Sequence, residues 1–123
     1  LRLDDDVSSY DFEFSGSAKF PNILNDVWHH LVFTYDETNS NIKVYVDGSL
    51  HRTLVWTGHG PFTLGKKDKL TGLAVGGSNK QAGISGNDDG WMYSWKGGLD
   101  QFRLYGKKVL TAAEVSSLFA SKS

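Results

Sequence analysis

Between Trp28 and Gly48 the chain reads WHHLVFTYDETNSNIKVYVDG, a stretch that suits strands and turns and little else. Ile42, Val44 and Val46 alternate with Asn41, Lys43, Tyr45 and Asp47, a period of two that predicts a strand with one apolar and one polar face. Asp47-Gly48 then offers the dipeptide that best tolerates positive φ at both central positions of a type I′ turn, so the chain should fold straight back as a hairpin. The preceding segment, residues 27–35, is apolar on both faces: Trp28, His30 and Val32 on one, Leu31, Phe33 and Tyr35 on the other. That pattern predicts a strand in the middle of a sheet, covered on both sides. A layered all-β architecture follows before any motif is considered.

The rest of the chain is consistent with that reading. Leu1-Arg2-Leu3 reads as a strand already under way, and Tyr10, Phe12 and Phe14 alternate with Asp11 and Glu13 in a half-buried strand. A short extended piece is expected at residues 18–20, stopped by Pro21. The hairpin's second arm should run from Ser49 to about Trp56, and Leu73-Ala74-Val75 reads as a short buried strand. Residues 76–90 carry five Gly and almost no large apolar side chain, and a loop of that length in a compact domain is usually functional or mobile. WMYSW and GGLDQFRLY resume the strand pattern, with Leu99, Gln101, Arg103 and Tyr105 alternating with Asp100, Phe102 and Leu104. The end differs in kind. Thr111 and Glu114 stand three apart as a capping box, and Val115, Leu118 and Phe119 form an i, i+3, i+4 stripe that would dock a short helix.

Composition narrows the function. At 123 residues the chain can bury one core. A net charge of -1 argues against a nucleic-acid binder that relies on a basic field, and Lys66-Lys67-Asp68-Lys69 reads as a solvated loop. No apolar run approaches the ~18–20 residues of a membrane span. With no cysteine, disulfides, thiolate catalysis and cysteine-ligated zinc are excluded. His29 and His30, adjacent in a strand, point to opposite faces and cannot jointly hold a metal; a packed or hydrogen-bonded role suits them better.

In combination, WHHLVFTYD, IKVYVDG, LAVGGSN and WKGGLDQFRLYGKKVLTAAEVSSLF resemble the laminin-G-like, concanavalin A-like jelly-roll superfamily of lectins and glucanases, over about residues 27–120. The closest flavour is the bacterial surface or polysaccharide-associated type. The resemblance implies an all-β, antiparallel two-sheet jelly-roll sandwich with a short C-terminal helix, and a single domain over residues 1–123. The family's opening strands, with a phrase like FDGxxDYV, are not found at the front. The expectation is therefore a domain lacking its N-terminal strands: either the C-terminal portion of a longer domain, or one whose missing strands come from other domains of the same polypeptide. The resemblance also makes Trp95 the family's packing Trp and places Asp100, of GGLDQF, where related jelly rolls bind structural Ca²⁺. One Asp cannot satisfy a cation that wants six to eight oxygens, so an Asp100 carboxylate that accepts from backbone, from Arg103 or from another nearby Arg is the competing reading.

Glucanase relatives use two carboxylates on one strand. The Glu residues here are Glu13, Glu37 and Glu114; none has an acidic partner at that spacing, and Glu114 reads as a helix cap. No enzyme is expected. Sugar binding needs aromatic faces to stack on pyranose rings, flanked by side chains that bond hydroxyls. Trp91 and Tyr93, with Asn79 and Asp88, offer that combination, and Trp56 and His59 border the neighbouring loop. The expected function is a non-catalytic carbohydrate-binding module of an extracellular or cell-surface protein, its partner a glycan or polysaccharide. The alternatives are a protein-binding adhesion or scaffold module, and an accessory domain of a glycoside hydrolase.

Overall fold

The computed structural model describes residues 2–4, 9–11, 23, 25–55, 75 and 95–121. Two compact units divide the chain: Leu1–Thr63 with Tyr105–Ser123, and Leu64–Leu104. In the first unit β1 (Arg2–Asp4) pairs antiparallel with β2 (Ser9–Asp11), Leu3 opposite Tyr10. A three-stranded antiparallel sheet follows, β3 (Leu31–Asp36), β4 (Asn41–Val46) and β5 (Ser49–Val55), in the order β3-β4-β5.

The connections in this sheet are set by short polar residues. After β3 the carboxylate of Asp36 accepts from the Asn39 backbone N–H at 3.1 Å and from its side-chain amide at 2.7 Å, and Ser40 takes a positive φ of 47°. This local Asx turn brings Asn41 back opposite Asp36. Between β4 and β5, Asp47 at φ 50° and Gly48 at φ 80° make the expected two-residue type I′ turn, with Val46 paired to Ser49. The β4–β5 ladder then slips at Val44/Tyr45. Arg52 lies opposite Val44 and Leu50 opposite Tyr45, which leaves His51 as the extra residue of a β-bulge.

Burial corrects the strand assignment. The middle strand among the described residues is β4, not β3, and β4 is the one covered on both faces. Ile42, Val44 and Val46 are buried on one side, and Tyr45, expected on the polar face, is buried on the other. In β3, Thr34 is buried while Leu31 and Phe33 are about two-fifths exposed; ahead of it, Trp28 is 67 % exposed. The expectation failed because it read apolar content as burial. Apolar residues also occur at the surface, and pairing decides which strand lies in the middle.

The helix α1 (Ala112–Ala120) closes this unit. Its capping box is complete: Thr111 Oγ1 accepts from the Glu114 backbone N–H at 3.2 Å, and Glu114 Oε2 accepts from the Thr111 N–H at 2.9 Å. The stripe expected to dock does so. Val115 is fully buried with Tyr45 and Leu110, and Val32 and Leu118 pack against that cluster. Since Val32 and Tyr45 are register partners, α1 lies on the Val32/Tyr45 face of the sheet. Phe119 is half-buried rather than fully so, its ring 6.0 Å from that of His30.

The second unit is described at Val75 and from Trp95 to Leu104. GGLDQFRLY does not form the expected strand: residues 97–105 have no ladder partner, Gln101 sits at φ 51°, and Leu99, Phe102 and Leu104 are exposed. Trp95, expected in the core, is 44 % exposed, with its indole N–H donating to the Gly98 carbonyl at 3.3 Å. Val75 is exposed at a bend rather than buried in a strand. The alternation was present, but a strand also needs a neighbour to pair with.

Candidate functional site

The densest polar cluster among the described residues gathers around the hairpin turn. Because Asp36 faces Asn41, counting back along the ladder puts His30 opposite Asp47. The two exchange hydrogen bonds: the Asp47 N–H donates to the His30 carbonyl at 2.9 Å, and Asp47 Oδ1 accepts from the His30 N–H at 3.0 Å. The other carboxylate oxygen, Oδ2, lies 2.7 Å from Nδ1 of His29. On the far side of that imidazole, Nε2 is 2.9 Å from Oδ1 of Asn25, which also accepts from the Val27 N–H at 3.4 Å. One carboxylate and one amide thus fasten residues 25–30 to the turn. The turn in turn meets α1, since Phe119 lies over Gly48 and beside His30.

His29 takes the hydrogen-bonded role expected of it, between Asp47 and Asn25, and His30 packs beside Phe119. Among the described residues no group of three or more His, Asp or Glu could hold a metal ion.

A second feature of the same unit is an open groove of about 480 Å³ beside α1, floored by Tyr105, Leu110, Ala113 and Leu118. Lys108 and Glu114 at its rim neutralise each other at 2.6 Å. The Lys108 ammonium and the Thr111 N–H together hold the Glu114 carboxyl down to about 2 from its ordinary 4.5.

In the second unit, Asp100 bonds locally, Oδ1 accepting from the Gln101 N–H at 2.7 Å. Arg103 donates to Gln101 Oε1 at 3.1 Å rather than to Asp100. The described residues therefore supply a calcium ion with one carboxylate, far short of its coordination demand.

A family described as the concanavalin A-like lectin/glucanases superfamily, of laminin-G type, matches residues 3–116. The chain belongs to that superfamily. Its β-rich architecture with a short helix agrees. A crystal structure of an S-layer domain-containing protein (residues 221–444) from Clostridium thermocellum superposes with a TM-score of 0.52 at 22 % identity. The alignment covers 85 % of this chain and 43 % of that one, so the chain spans less than half of that structure. The chain matches none of the curated proteins.

For this superfamily member, the residues expected to bind carbohydrate, Asn79, Asp88, Trp91, Tyr93, Trp56 and His59, lie outside the described residues. Sequence reasoning missed the second role of Asp47, which it read as a turn former alone. Ladder counting from the Asp36–Asn41 loop would have set its carboxylate beside the two histidines.

Proposed function

We propose that this chain is a non-catalytic, carbohydrate-binding module of a protein displayed on or outside the cell surface, built as a two-sheet jelly roll. The observation that carries this reading is the match of nearly the whole chain to the concanavalin A-like lectin/glucanases superfamily. The fold likeness to an S-layer domain-containing protein supports the surface setting. Two points favour binding over hydrolysis. Glu114 is committed to its helix cap and to Lys108, and a carboxyl held down to about 2 is a poor proton donor near neutral pH. The other glutamate described, Glu37, sits in a hairpin turn.

The residues assigned to glycan binding in this reading are Trp91, Tyr93, Asn79, Asp88, Trp56 and His59. Affinity should lie in the micromolar-to-millimolar range (about -4 to -8 kcal/mol), as befits a shallow surface. A glycan array tests it: selective binding that disappears with Trp91→Ala is the expected result. Absence of binding to every glycan would transfer the module to the protein-binding or scaffold reading. Calcium belongs to this proposal only as a brace that also needs ligands beyond Asp100. It should raise the melting temperature of the parent, reversibly with EDTA, and leave Asp100→Asn unmoved.

A further inference from the structure

Trp28 is 67 % exposed, although it stands beside the most tightly fastened segment of its unit. Asn25, His29 and His30 are tied to one another and to Asp47, and Val27 is bonded through its own N–H. The indole is thus carried on a backbone fixed on both sides of it. Among the described residues neither its N–H nor its ring has a partner. The same holds for the carboxylate of Asp26, which sits at a positive φ of 61°. Asn25 spends its Oδ1 on Val27 and His29 and keeps its two amide donors. Over four consecutive residues, roughly 11 Å of chain at most, the surface presents a flat aromatic face, a donor pair and an acceptor pair.

We propose that Asn25, Asp26 and Trp28 form a second carbohydrate-binding platform, one that takes a single pyranose ring. The electron-rich face of the indole attracts the C–H groups that line one face of a sugar. The amide donates to a hydroxyl, and the carboxylate accepts from one. Pre-organisation by Asp47 spares the ligand the cost of ordering this segment. A peptide partner is a poorer fit, since a single ring with polar neighbours offers no row of pockets.

This inference rests on the carbohydrate-binding reading but names residues other than those of 79–93. The test uses the full chain and three probes: the tetrasaccharides of β-1,4-glucose, β-1,3-glucose and β-1,4-N-acetylglucosamine. Indole N–H signals are followed by NMR, with Trp28 assigned through Trp28→Phe. The expected result is a saturable shift of the Trp28 signal with at least one probe. Trp28→Ala should weaken that binding roughly tenfold or more, Trp28→Phe less, and the melting temperature should hold because the ring is exposed. Binding that survives Trp28→Ala while Trp91→Ala removes it overturns this platform and leaves the carbohydrate reading standing. Failure of the parent to bind any probe here or any glycan on the array overturns both.

Discussion

Gly48 and Phe119 meet so closely that a Cβ built on the glycine would stand 3.0 Å from the Cβ of Phe119 and 3.1 Å from its ring. Gly48 also sits at φ 80°. Two independent restrictions therefore fall on one position, one from the hairpin turn and one from the helix that crosses it.

They can be separated. Gly48→Ala should cost about 2 kcal/mol, combining the strain of an L-residue at positive φ with the contact to Phe119. In a Phe119→Ala background the ring contact at 3.1 Å disappears, while the contact to the Cβ at position 119 and the backbone part stay. A double-mutant cycle by chemical denaturation should give a coupling of at least about 0.5 kcal/mol. Strict additivity would mean that the ring moves aside freely.

Asp47→Ala removes the acceptors for His30 N–H and His29 Nδ1 at once. The expected loss is about 1–2 kcal/mol, in the lower part of the range for hydrogen bonds to a charged group because the side chain is partly open to water. Asp47→Asn tolerates the positive φ and can still accept one bond, so it should fall between the two. Equal stability of all three proteins would show that the cluster contributes nothing.

The capping box should make α1 sensitive to acid. The Glu114 carboxyl is held down to about 2, first by Lys108 and then by the Thr111 N–H and hydroxyl. A depressed carboxyl stabilises the folded state above its unfolded value of about 4.5, and that contribution disappears as pH falls towards 2. Asp36, lowered chiefly by the Asn39 side-chain amide, acts in the same direction. Helical circular dichroism followed through this window should decline in the parent. In Glu114→Gln it should start lower and change less; parallel titrations would remove Glu114 from the account.

Val115→Ala should cost about 2 kcal/mol, because the side chain is fully buried against Tyr45 and Leu110. Val109→Ala, at a position 43 % exposed, should stay within about 0.5 kcal/mol of the parent. Denaturant midpoints for the two variants decide it, and similar losses would place the helix's contact face elsewhere.

Local chemistry was the legible part of this sequence. Asp47-Gly48 announced its turn, Thr111 and Glu114 their capping box, and the stripe through Val115 and Leu118 its docking face, because each depends on residues a few positions apart. Tyr45 and Trp28 were misread because their burial depends on which strands become neighbours, and that is a property of the whole sheet. The GGLDQFRLY segment shows the same limit: its alternation suits a strand, but a strand exists only with a partner. The side chains of residues 56–93 expected to bind carbohydrate were read from composition, and they lie outside the described residues. The Asp47 carboxylate, by contrast, could have been placed beside His30 by register alone.

The bulge at His51 has a bearing on how this chain tolerates change. By simple counting, Leu50, Arg52 and Leu54 share one face of β5. The slipped ladder instead sets Leu50 beside Tyr45, on the side where α1 packs, and Arg52 and Leu54 beside Val44 and Ile42 on the other. Deleting His51 would leave the strand long enough to reach the hairpin and would restore strict alternation. Because Leu50 and Arg52 already lie on opposite faces and would become neighbours, the deletion would keep Leu50, Arg52 and Leu54 on the faces they now occupy. A one-residue deletion here is thus a truncation without a rotation, whereas the same deletion elsewhere in β5 would turn part of the strand over. Length variants of β5 should be selected by which surface each side chain ends on, not by whether the loop still closes.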